Sequence, residues 1–118
     1  MSIIGTKEVQ AVIALGGTLS AAVELGGHSV ERIIMPAAWD AADITFLVSD
    51  DGGTTSQSLY WDWGAEMVVD VAQGLTIELS PFVKLSNLDQ IIIRSGTVAL
   101  PVVQAAERII RLSVSTRG

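Results

Sequence analysis

Apolar residues recur at every second position over much of the chain. In 8–15, Val9, Ala11, Ile13 and Leu15 share one face, and in 18–25 Leu19, Ala21, Val23 and Leu25 do the same. A period of two marks a half-buried strand, because successive side chains point to opposite faces of a sheet. The same reading gives strands at 30–35, 44–49, 67–71, 75–79, 88–94 and 108–115. The last is the cleanest, with Ile110, Leu112 and Val114 alternating with Ile109, Arg111 and Ser113. Gly16-Gly17, Gly26-Gly27, Asp51-Gly52-Gly53, Gly64, Gly74, Gly96 and Pro101 punctuate these runs. Turn residues about ten positions apart around short apolar runs predict an all-β protein. About eight antiparallel strands in this length fit a two-sheet β-sandwich, a jelly roll, with its loops gathered at the two ends. A short N-terminal arm, 1–7, precedes a single domain, 8–118.

Two runs depart from simple alternation. Ile91-Ile92-Ile93 and Met67-Val68-Val69 are apolar on both faces. That suits a central strand covered on both sides, or one side turned to a partner subunit. PVVQAAER, 101–108, is the one place with room for a short helical turn, and it is too short to show a helical period.

Composition sharpens the picture of the surface. Of 118 residues, 49% are hydrophobic and only 17% charged, with net charge −6. Mean hydropathy is +0.49, so the folded surface is expected to keep a partner. No apolar run approaches the ~18 residues of a membrane-spanning helix. The apolar stretch 11–15 is too short for a secretory signal, and Lys7 is followed at once by Glu8. Synthesis in the cytoplasm of the producing cell, with no signal peptide and no membrane contact, is the expectation. The basic residues Lys7, Arg32, Lys84, Arg94, Arg108, Arg111 and Arg117 are dispersed, which disfavours direct nucleic-acid binding because no stripe of cations faces the phosphates.

Candidate chemistry is sparse. With no cysteine and one histidine, His28 after a double glycine, neither a thiolate or histidine zinc site nor a Ser-His-Asp triad is supported. His28 reads as structural. Neither GxGxxG nor GxxxxGK[ST] occurs, so no nucleotide cofactor is implied. Asp40 with Asp43, Asp50 with Asp51, Asp62 with Glu66, and Glu66 with Asp70 are close in sequence. Nothing in the spacing makes them converge across a cleft as glycoside hydrolysis requires. Asp50, Asp51 and Asp62 could offer hard oxygens to calcium around a loop, although the spacing is not that of an EF-hand. The chain therefore reads as non-enzymatic, with no catalytic residue, no metal and no cofactor assigned.

Aromatic residues are few, and Trp39, Tyr60, Trp61 and Trp63 supply most of them. Alternation places Trp61 and Trp63 on one side with Leu59, and Tyr60 on the other. Exposed, these rings suit a sugar platform or a protein hot spot; the apolar composition favours core packing or a subunit interface. Trp39, Asp50, Asp51, Tyr60, Trp61 and Trp63 are thus the residues to place as interface or ligand candidates.

The span 19–61, LSAAVELGGHSVERIIMPAAWDAADITFLVSDDGGTTSQSLYW, has a recognisable order of parts. A strand ends in Val-Glu-Leu-Gly, an apolar strand follows, a loop carries a tryptophan, and a Phe-containing strand ends in Ser-Asp-Asp-Gly. That order resembles the discoidin-like galactose-binding jelly roll, with LDQIIIRSG as its late strand. More narrowly, LSAAVELGG, IIMPAAWDAADITFLVSDDG, IIIRSG and PVVQAAERIIRLSVS resemble a family of small structural proteins encoded among the virion genes of tailed bacteriophages and prophages. The resemblance implies decoration or attachment on the phage particle, as a capsid cement protein, a head spike or fibre base, or a tail-associated module; the leading expectation is a capsid decoration or cement protein on the capsid surface, bound to the major capsid protein or other virion proteins. It implies a homo-oligomer too, with a trimer expected. The alternative it leaves open is a carbohydrate-binding module for host attachment, on a head fibre or the tail. Only Trp39, Asp50 and Asp51 occupy loops comparable with those of the sugar-binding relatives, and they do not make a full ligand set.

Overall fold

The computed structural model describes residues 6–26, 28–79 and 89–115. Residues 1–5 of the expected arm and Leu88 of the expected 88–94 strand lie outside them. Eight strands occur: β1 (Thr6–Ile13), β2 (Val23–Glu24), β3 (Val30–Ile34), β4 (Ile44–Ser49), β5 (Gln57–Ser58), β6 (Thr76–Glu78), β7 (Gln90–Ser95) and β8 (Arg108–Ser115). They form two four-stranded sheets, ordered β1-β8-β3-β6 and β2-β7-β4-β5. Every ladder is antiparallel.

The order has a simple logic. The first strand pairs with the last, the second with the seventh, the third with the sixth and the fourth with the fifth. The chain is therefore one long hairpin folded at its middle and rolled into two layers, which is the jelly-roll topology expected from the pattern. Connections β1–β2, β3–β4, β5–β6 and β7–β8 gather at one end, and β2–β3 and β4–β5 at the other.

Between the sheets lies one core. Ala11, Ile13, Val30, Ile33, Ile110, Leu112 and Val114 from one layer meet Val23, Leu25, Ile44, Phe46, Ile91 and Ile93 from the other, all buried. Burying a side chain of this kind contributes about 1.5–3 kcal/mol, so the packing holds the fold without disulfides.

The alternation fails in informative places. Strict period two would put Val30 and Arg32 on one face, yet Val30 and Ile33 are both buried while Arg32 is exposed. The register against β8 shifts between Val30 and Arg32, a β-bulge whose extra residue resets the phase. Leu15 and Leu19, expected inside, are exposed, because the chain leaves β1 at Ile13 and turns before β2. The 67–71 strand is replaced by isolated bridges, Ile44 with Val69 and Tyr60 with Glu66, although Met67 and Val69 do enter the core. Gln57 and Ser58, outside every strand read from the sequence, form β5 by pairing with Val48 and Leu47. The 101–108 piece bends without a helical turn, and no helix occurs among the described residues.

β7 and β4 are buried on both faces, as the two-sided apolar run of 91–93 requires. Ile91 and Ile93 face the core, while Ile92 lies across from Leu47 on the outer side. Gly53 closes over it: a Cβ at that position would sit 3.6 Å from Ile92 Cδ1.

Candidate functional site

Three surface features contain the sequence candidates or adjoin them. The first is the β4–β5 turn. Asp51 accepts from Thr55 N at 2.9 Å and from Ser49 Oγ at 2.9 Å, and Gly52 N donates to Gln90 Oε1 at 2.8 Å. Hydrogen bonds from Thr55 and then Ser49 to the carboxylate lower the Asp51 pKa to about 2. Asp50 is exposed and lines an open groove of about 670 Å³ with Val48, Ser49, Thr55, Ser56, Gln57 and Asp89. Asp51 is committed to shaping the turn. Asp62 stands at the opposite end of the sandwich, in the turn that follows Trp61, so the three acids considered for calcium do not converge. Among the described residues no group of three or more acids, histidines or cysteines is placed to hold a metal ion.

The second feature is an aromatic hairpin, 60–66. Tyr60 bridges Glu66, Trp61 N donates to Ala65 O at 2.8 Å, and Gly64 N donates to Trp61 O at 3.0 Å. Trp61 and Trp63 share one side, across the turn at 62–63 and not along a strand, and stack with centroids 4.9 Å apart and planes inclined by 6°. Trp61 is half-buried against the core, whereas Trp63 is 70% exposed and Tyr60 is exposed. Trp39 takes no part: it is buried in the core, with Nε1 donating to Ala42 O at 3.0 Å.

An ion pair invisible to local pattern anchors this hairpin. Arg94, on the outer face of β7, donates to Glu66 Oε2 at 3.1 Å and to Ser58 Oγ at 3.1 Å, and both charged side chains are largely buried. The signal in the sequence was a lone arginine ending an isoleucine run, since a cation in a buried strand needs a partner.

The third feature is a pair of loops, 14–22 and 96–106, at the end of the sandwich that carries β1–β2 and β7–β8. Gly16 N donates to Gln104 O at 2.8 Å, Gln104 N to Gly17 O at 3.0 Å, and Ser95 N to Thr18 O at 2.7 Å. Neither loop contains a charged residue, and together they expose Leu15, Leu19, Val98, Leu100 and Val103. The two carboxylates that bond to them are both neutralised. Glu66 accepts from Val98 N and pairs with Arg94, and Asp40 accepts from Ala105 N and pairs with Arg108 at 3.2 Å.

These loops are fixed from beneath by Gln104, which is fully buried. Its Nε2 donates to Asp40 O at 3.1 Å and Ser95 Oγ at 2.8 Å, while Oε1 accepts from Asp40 N at 2.9 Å and Arg108 Nε at 3.1 Å. Nearby, burial raises the Asp43 pKa, and the Asp70 carboxylate raises it further by charge and hydrogen bonding. That pair was not among those read from the sequence; the bridge between Ile44 and Val69 brings it together.

No family model matches the chain, and no curated protein matches it. Among solved structures, it is similar to a chain from Bacillus endospore appendages, described as a novel family of disulfide-linked pili. Identity is 13%, coverage is 98% of this chain and 90% of that one, and the TM-score is 0.43. Similarity at that level establishes neither a shared fold nor a shared role.

Proposed function

We propose that this chain is a non-enzymatic structural subunit of a bacteriophage virion, a capsid decoration or cement protein that seats its apolar loops against the major capsid protein and sister copies. The observation that carries the reading is the pair of uncharged loops with five exposed large apolar residues. Exposed apolar surface concentrated on rigid, mutually bonded loops marks a site that another protein covers. Its backbone is already ordered, so docking costs little further conformational entropy. The resemblance of LSAAVELGG, IIIRSG and PVVQAAERIIRLSVS to small virion proteins supports the same reading.

The test adds purified protein to capsids lacking their decoration protein and measures co-sedimentation and particle stability, with light scattering on the free chain. Saturable binding, together with a multimer in solution, is the expected result. Leu100→Ser with Leu15→Ser should abolish binding while the isolated chain stays folded. A chain that remains monomeric and leaves such capsids bare overturns the reading.

A further inference from the structure

Asp51-Gly52, in the β4–β5 turn, is the sole Asp-Gly step in the chain. In such a step the glycine N can attack the aspartate Cγ, because the following residue has no side chain to block the approach. The new N–Cγ bond closes a succinimide ring, and one carboxyl oxygen leaves as water. Water then adds to either ring carbonyl. Opening at the α-carbonyl gives isoaspartate, whose main chain runs through the β-carbon, and opening at the other restores aspartate. The water lost is regained, so the isomerisation needs no oxidant and no co-reactant. What it needs is a glycine N–H free to give up its proton and a carboxyl group able to act as an electrophile.

The folded turn denies both. Gly52 N donates to Gln90 Oε1 at 2.8 Å. The Asp51 carboxylate accepts from Thr55 N at 2.9 and 3.1 Å and from Ser49 Oγ at 2.9 Å. These bonds engage both oxygens and keep the group ionised, and a carboxylate anion is a poor electrophile. Three strands set the acceptor on Gly52. Gln90 begins β7 and lies across from Glu24 of β2 on one side and Ser49 of β4 on the other. Its Nε2 donates to Glu24 Oε2 at 2.9 Å. A carboxylate only accepts, so Glu24 takes the amide nitrogen and leaves the amide oxygen for Gly52. Asp51 and Gly52 are nevertheless exposed, and a Cβ on Gly52 would meet nothing within 4 Å. Water therefore reaches the step as soon as the turn opens.

We propose that Asp51-Gly52 is a backbone self-modification site, held closed by the Gln90 amide with Glu24 as its positioning residue, and converting to isoaspartate when the turn opens. Conversion lengthens the main chain by a methylene, takes the carboxylate from Thr55 and displaces Gly53, which packs over Ile92. It remodels the β4–β5 end of the sandwich and is independent of the apolar loops at the other end. The experiment holds the full chain in warm neutral buffer beside a synthetic 48–58 peptide. Isoaspartate is quantified with a methyltransferase specific for it and placed in the sequence by fragmentation mass spectrometry. Residue 51 should convert at least about tenfold more slowly in the folded chain than in the peptide, because only the opened turn reacts. Gln90→Ala should raise the folded-chain rate by about fivefold or more, the effect of losing one hydrogen bond from the closed turn, and Glu24→Ala should raise it in the same direction. Gly96→Ala, which lowers stability from the opposite end of β7, should leave the rate at the parent level. A folded parent that converts as fast as the peptide overturns the proposal, as does an unchanged rate in Gln90→Ala or Glu24→Ala. So does a Gly96→Ala variant that accelerates as much as Gln90→Ala, since the gate would then be global unfolding.

Discussion

Gln104 is an amide placed where an apolar residue would ordinarily sit, and every polar atom of its side chain is used. Gln104→Leu keeps the volume but strands Asp40 N, Ser95 Oγ and one bond of Arg108. Leaving buried groups unpaired costs about 1–3 kcal/mol each, so chemical denaturation should show a loss of roughly 2–4 kcal/mol. The two perturbed acids act in opposite directions with pH. Asp51 has a folded pKa below its unfolded value of 3.8, so its contribution is present above that pH and is lost as pH falls toward about 2. Asp51→Asn should therefore lower the melting temperature at neutral pH, and the gap from the parent should close in that acid window. Asp43 is raised above 3.8 by burial and by Asp70, so its ionisation disfavours the fold at neutral pH. Asp43→Asn should raise the melting temperature there, and the gain should vanish once pH drops below 3.8, where the carboxyl is protonated in both states.

At the scale of elements, the end of β7 depends on one glycine. Gly96 has φ of 93°, and a Cβ on it would meet Leu100 O at 2.3 Å and Val102 N at 2.8 Å. Both obstacles are backbone, so they cannot swing away. Gly96→Ala should cost about 2 kcal/mol or more, read as a lower denaturation midpoint, and should loosen the 97–102 turn that carries Val98 and Leu100. The Arg94–Glu66 pair gives a second test. Arg94→Met leaves Glu66 largely buried without its cation and should destabilise by about 3 kcal/mol. Adding Glu66→Gln should recover part of that loss, because the stranded charge is then gone.

How much of this was legible follows from what each element is made of. Strands that bury one face announce themselves by period two, as Ala11, Ile13, Ile110, Leu112 and Val114 do, and β1, β4, β7 and β8 were readable within a few residues. β5 was not, because Gln57 and Ser58 carry no apolar signal and become a strand only through the edge of β4. Nor was the phase of β3, since a bulge is set by the register with β8 and leaves no local mark. Among the site candidates, Trp61 and Trp63 share a side as read, although a turn and not a strand brings them together. The core packing that composition favoured for the aromatic residues holds for Trp39, whereas the meeting of Glu66 with Arg94, 28 positions away in the chain, was not readable.

For the whole molecule, the pairing of the first strand with the last has a kinetic consequence. β1 has one hydrogen-bonded neighbour along its full length, β8, with Thr6 opposite Ser115 and Ile13 opposite Arg108. β3 leans on the same strand. During synthesis, half of the sandwich must wait until the final strand leaves the ribosome, while its apolar face has nothing to cover it. Contacts of such long sequence separation make folding slow, on the order of milliseconds to seconds, and expose the nascent chain to aggregation in the interval. A chain ending before Arg108 should stay unfolded and bind chaperones, and a circular permutant that joins residue 115 to residue 6 through a short linker should fold faster than the parent.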